Sequence, residues 1–194
     1  MQAHNVLIVP GWYNSGPDHW QSLWQAESGY TRVEQHDWER PLRGDWMSQL
    51  EEAVLATTEP AVLVAHSLGC LLVAAWAAHS RNVHRVKAVL LVAPGDAERD
   101  ELQGVLRSWS PIERRALPFG PERAVLIGSS DDPYCSLERA QQMAADWQAR
   151  WVLAGALGHI NAESGVGAWP QGREWLARLT VSYTHLTLPT TPYV

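Results

Sequence analysis

Short apolar runs rich in β-branched residues recur along this chain at Val6–Val9, Ala61–Ala65, Val86–Val92 and Ala124–Ile127, and longer segments with helical spacing lie between them. Runs of this kind have no polar face, so they read as internal strands of a sheet covered on both sides. The helical segments are Trp46–Thr57, Leu68–His79, Leu137–Trp147 and, near the end, Gln171–Leu179. Arg32–Trp38 and Trp151–Ala154 carry a less regular strand pattern. Strand and helix in alternation require crossover connections. These are right-handed and place helices on both faces of a mostly parallel central sheet, an α/β fold. In such sheets the residues that act on ligands stand just beyond the carboxyl ends of the strands, and those loops are where chemistry is sought.

A chain of 194 residues, 46% hydrophobic and 19% charged, has the length and balance of one domain, expected to span 1–180. Asp96–Pro121 interrupts the alternation; it reads equally as a short helix with an excursion over the site or as a plain surface connection. Residues 181–194 change abruptly to Thr, Pro, Tyr and Leu, and SYTHLTLPTT resembles a translated adapter sequence. They are expected to form a non-native or disordered tail. Eleven Trp stand against one Phe. Most are expected in the core, with one or two lining a cleft.

The net charge of -6 is the wrong sign for a surface that gathers phosphates, so no nucleic-acid partner is expected. No basic-then-apolar leader opens the chain, and no stretch approaches the roughly 20 apolar residues that span a bilayer, so no membrane association is expected. Two cysteines, Cys70 and Cys135, fit a reducing compartment, and the expected location is cytoplasmic. No His pair at i, i+4 and no CxxC motif occurs, so neither a metal nor a cofactor is expected. Cys70 sits inside a helical segment, and Cys135 has no helix N-terminus or His beside it in sequence; neither is given a catalytic role.

One strand, turn and helix stands out: Ala61–Ala65, then His66-Ser67-Leu68-Gly69, then an apolar helix from Cys70. A sharp strand-to-helix turn lifts a serine hydroxyl clear of the sheet, which is the geometry of a nucleophile elbow. The usual pattern is G-x-S-x-G, and Ala65 replaces the first glycine here. Ser67 also suits a helix N-cap, and position alone does not separate the two readings. A serine hydroxyl needs a base and an orienting carboxylate to act as nucleophile. His159, in the glycine-flanked segment Gly158-His159-Ile160-Asn161, is the candidate base. For the acid, Asp131 and Asp132 follow the Ala124–Ile127 strand; Pro133 fixes the direction of Asp132, which is favoured, and leaves Asp131 to face water or cap a turn. The order Ser67, Asp132, His159 is the one this architecture uses. Backbone N–H groups of Leu68 and of Trp12, on the loop after the first strand, are the candidate oxyanion-hole donors.

Four blocks, PGWYNSGPDHWQSLW, AHSLGCLLVAAWA, SSDDPYCSLERAQQMAADW and GHINAESGVGAWP, together resemble the YdeN and retinoblastoma-binding-protein-nine type of small serine hydrolase, across about residues 4 to 179. The resemblance implies a compact α/β-hydrolase with a minimal cap or none, and it aligns Ser67, Asp132 and His159 with the triad. The L-x-C-x-E motif of the mammalian relative is absent, so that partner does not carry over. The expected activity is hydrolysis of a small-molecule carboxylic ester through an acyl-enzyme on Ser67, with thioester and amide left open. The alternative is a catalytically weak hydrolase-fold protein that binds a protein or ligand.

Overall fold

The computed structural model describes residues 3–186. Among the described residues six strands form one sheet: β1 (Val6–Val9), β2 (Thr31–Arg32), β3 (Ala61–His66), β4 (Val86–Val92), β5 (Ala124–Gly128) and β6 (Arg150–Leu153). Five helices join them: α1 (Trp20–Ser28), α2 (Arg43–Ala56), α3 (Leu68–His79), α4 (Leu137–Asp146) and α5 (Pro170–Leu186). The strand order is β2-β1-β3-β4-β5-β6, and every pairing among the described strands is parallel. This is a small α/β-hydrolase fold.

Strand periodicity sorts the core into two layers. Leu7, Val9, Leu63 and Ala65 point to one face, where Trp46 and Leu50 of α2, Trp76 of α3 and Met143 of α4 cover them. Val6, Ile8, Val62 and Val64 point to the other, where Trp20 and Trp24 of α1 and Leu176 and Leu179 of α5 cover them. Trp20, Trp24, Trp46, Trp76, Trp109 and Trp147 are fully buried, which places most of the tryptophan in the core.

Helix α1 went unread in the sequence. Its N-cap is His19, whose ring accepts from the Gln21 N–H, and its C-cap is the left-handed Gly29. Histidine is not among the favoured capping residues, which hid the start. The Arg32–Trp38 strand shortens to Thr31–Arg32, because after Val33 N–H reaches Ile8 O the chain leaves the sheet edge and turns at Asp37, whose carboxylate accepts from the Glu39 and Arg40 N–H groups. Helix α5 runs to Leu186, seven residues past the end expected near Leu179, and residues 187–194 of the expected tail lie outside the described residues.

The direction of winding reverses beside β1. From β1 the chain goes outward to β2, then returns across β1 to β3 and proceeds the other way. The carboxyl ends of β1 and β3 therefore flank a topological switch point, where loops part and leave a crevice.

Candidate active site

Ser67 occupies the turn between β3 and α3 with φ 54 and ψ -122, a conformation that only a tight, over-determined turn holds in a non-glycine residue. Its N–H donates to Val92 O at 3.0 Å, and its side chain makes no cap hydrogen bond with α3. The N-cap reading of the hydroxyl therefore fails. Two glycines let the neighbouring backbone come close enough. A Cβ on Gly69 would stand 2.4 Å from Val9 O, and one on Gly11 would stand 2.8 Å from Ser67 Cβ. Ala65, where the common pattern has glycine, is accommodated in the core with no exposure.

The loop after β6 brings His159 to this turn. Its Nε2 lies 2.9 Å from Ser67 Oγ, and its Nδ1 lies 2.8 and 3.0 Å from the two carboxylate oxygens of Asp132. A carboxylate only accepts, so Nδ1 carries the ring proton and Nε2 presents its lone pair to the serine hydroxyl. The His159 and Asp132 side chains are 9% and 4% exposed, which keeps water out of the contact. Asp132 also accepts from the Tyr134 N–H, the direction Pro133 was expected to fix.

Asp131 does different work from its neighbour. Its Oδ1 accepts from Ser129 Oγ and from the Gly158 N–H, both at 2.7 Å, and these hydrogen bonds hold its carboxyl below the usual range. It thus tethers the residue just before His159. His66, immediately before Ser67, tethers the residue itself: its Nε2 donates to His159 O at 2.9 Å. The rings of His19, His66 and His159 form a column, with centroids 4.7 and 4.8 Å apart. Burial, followed by the neighbouring imidazoles, drives His66 well below its ordinary pKa, and burial lowers His19 to about 4. Both rings are therefore neutral supports at pH 7. Sequence reasoning did not single out His66 or His19; the one available signal was a His beside the elbow serine.

Leu68 begins α3, so its N–H has no partner within the helix. Gly11 packs against Ser67 and Leu68 N, which sets Trp12 on the loop beside the elbow, and the Trp12 indole donates to Glu39 O. Gln21, wholly buried on α1, steadies this loop: its amide donates to Val9 O and Val64 O and its oxygen accepts from Ser15 Oγ. A cavity of about 490 Å³ opens over Ser67 and His159, with Trp12, Leu68, Leu102 and Leu106 on its walls. The 96–121 segment holds two 3-10 turns, 100–102 and 107–109, and reaches this cavity through its first half.

Both cysteines are buried free thiols. Burial pushes Cys70 strongly upward and Cys135 up to about 12, with Asp96 and Asp132 adding to the latter. Cys135 does stand beside a helix N-terminus, because α4 caps at Ser136, contrary to the sequence reading; burial and the two acids outweigh it. Among the described residues no cluster of three His, Cys, Asp or Glu forms a metal site, and no helix is long and apolar enough to cross a membrane.

The chain also resembles known proteins. The family model described as serine hydrolase matches residues 6–178. The crystal structure of a YdeN-like hydrolase from Pectobacterium atrosepticum shares 30% identity over 90% of this chain and 89% of its own, with a TM-score of 0.78. The ydeN gene product of B. subtilis is 19% identical over 91% and 98%, with a TM-score of 0.70, and a hydrolase of the alpha/beta superfamily from Xanthomonas campestris is 17% identical over 92% and 99%, at 0.60. No curated protein sequence matches the chain.

Proposed function

The chain belongs to the serine hydrolase family, and from that premise we propose that it hydrolyses small carboxylic esters through an acyl-enzyme on Ser67. The observation that carries this reading is the unbroken chain of contacts from Ser67 Oγ to His159 Nε2 and from His159 Nδ1 to Asp132. In the first step Ser67 Oγ attacks the ester carbonyl carbon while its proton passes to His159 Nε2. The carbonyl oxygen becomes an oxyanion between the Leu68 and Trp12 N–H groups, and Asp132 stabilises the imidazolium and holds its tautomer.

Collapse of the tetrahedral intermediate breaks the bond to the leaving oxygen, which takes the proton back from His159. The acyl group remains on Ser67. Water then repeats the sequence: it gives a proton to His159, attacks the acyl carbon, and releases the carboxylic acid as Ser67 recovers its proton. Thioesters and amides follow the same path with a sulfur or nitrogen leaving atom.

Short-chain nitrophenyl esters test this directly. The wild-type chain is expected to release a burst of nitrophenol close to one equivalent of protein, and His159→Ala is expected to abolish it. Slow release without a burst, equal in both proteins, would overturn the acyl-enzyme reading and favour a binding role.

A further inference from the structure

The cavity over Ser67 has two unlike walls. On one side Trp12, Leu68, Ala97, Leu102 and Leu106 line it: Leu68, Ala97 and Leu106 belong to the apolar cluster that covers the α2–α3 face of the sheet, and Trp12 and Leu102 pack against it, while Asp96 and Arg99, which also line the cavity, are paired with Arg139 and Glu101. On the other, Asn161 and Glu163 line it from the segment that follows His159. Hydrolysis assigns these walls different cargo. His159 must hand its proton to the leaving oxygen, so the leaving group lies beside His159 and the residues after it. The acyl group then extends the other way.

We infer that the wall of Ala97, Leu102 and Leu106 is the acyl site, and that the substrates are esters of an apolar acid with a small polar alcohol directed at Asn161 and Glu163. This rests on the hydrolase reading and adds the substrate class to it. Gly95 makes the passage between the serine and this wall: a Cβ there would stand 3.4 Å from Ser67 Oγ, in contact with the reacting atom. The wall is also fixed in place. Asp96 N–H donates to Tyr134 O at 3.1 Å, Arg99 donates to Pro133 O at 3.0 Å, and Gln103 donates to Ala97 O at 2.9 Å. The segment carrying the acyl wall is thus pinned to the loop that carries Asp132, and it presents a preformed surface rather than a loose lid.

A preformed apolar wall rewards each methylene it buries. In a series of nitrophenyl esters from acetyl to decanoyl, kcat/KM is expected to rise about four-fold per methylene up to a limit and then fall. Leu102, half-buried at the cavity edge, is the position to vary. Leu102→Phe is expected to move the optimum to shorter chains and Leu102→Ala to longer ones, while Glu163→Gln leaves the acyl optimum where it is. Thermal unfolding of each variant checks that it is folded. Should both Leu102 variants keep the wild-type optimum, or should Glu163→Gln shift it, the acyl assignment is wrong although hydrolysis stands. Absence of any Ser67-dependent turnover in the wild type would instead sink the hydrolase reading.

Discussion

His66 Nε2 donates a hydrogen bond to the backbone carbonyl of His159 across 2.9 Å, so the residue before the elbow serine holds the loop of its base. The two ring centroids are 4.8 Å apart, edge to face, and His19 and Trp20 pack on His66 in turn. One buried side chain therefore ties the turn after β3 to the loop after β6. His66→Phe keeps the ring but strands the His159 carbonyl in a dry site, which costs about 1–3 kcal/mol. The expected result is a lower denaturation midpoint together with slower acylation, and His66→Gln, which retains a donor, is expected to recover part of both. Urea unfolding and burst kinetics on the two variants check this.

The same column makes stability sensitive to acid. His19 is held to about 4 by burial, then by His159 and Arg32, and its unfolded value is 6.5. Folded chains therefore bind fewer protons than unfolded ones between these values, and stability falls as pH drops through that window. His19 alone accounts for a loss of about 3 kcal/mol between pH 7 and 4, and His66 acts in the same direction. Unfolding free energy measured at pH 7, 5.5 and 4.5 is expected to decline steadily, and His19→Gln is expected to flatten the decline. A profile of equal slope in the variant contradicts the assignment.

Asp131 and Asp132 separate cleanly by substitution. Asp132→Asn replaces a carboxylate that only accepts with an uncharged amide that can donate to His159 Nδ1 and select the wrong tautomer, with an expected loss of about 10⁴ in kcat. Asp131→Asn weakens the hydrogen bonds from Ser129 Oγ and the Gly158 N–H without touching His159 itself, with an expected loss within about ten-fold. Steady-state kinetics on folded variants distinguishes them, and equal losses would contradict the division of roles.

Gly69 has no room for a methyl group, because backbone oxygens of Val9 and Pro10 stand 2.4 and 2.7 Å from where its Cβ would lie. Gly69→Ala must push the end of β1 away from α3, at a cost of about 1–3 kcal/mol or more. Thermal unfolding is expected to show the loss. The conservative control is Ala65→Gly, which restores the commoner elbow pattern and is expected to leave activity within a few-fold.

Most of the architecture was legible because buried parallel strands write themselves as uninterrupted apolar runs: β1, β3, β4 and β5 fall within a residue of their expected bounds. The convergence of Ser67, His159 and Asp132 could be anticipated because each follows a strand, and a parallel sheet sends all its strand ends to one edge. Helix α1 was not legible, since its cap is an imidazole and its inward face includes the polar Gln21, buried only because strand carbonyls satisfy it. The histidine column was hidden for a related reason. His19, His66 and His159 lie far apart in sequence, and no local pattern announces that their rings stack. The short β2 was misjudged because the chain leaves the sheet edge after Val33 and turns at Asp37, which no local propensity marks.

Activation of the Ser67 hydroxyl by His159 is the step on which the proposed chemistry depends, and intact-mass spectrometry after treatment with a fluorophosphonate probe tests it most directly. One covalent adduct, mapped to Ser67, is expected on the wild-type chain, with strongly slowed labelling of His159→Ala and none on Ser67→Ala. Equal labelling of wild type and Ser67→Ala would contradict it.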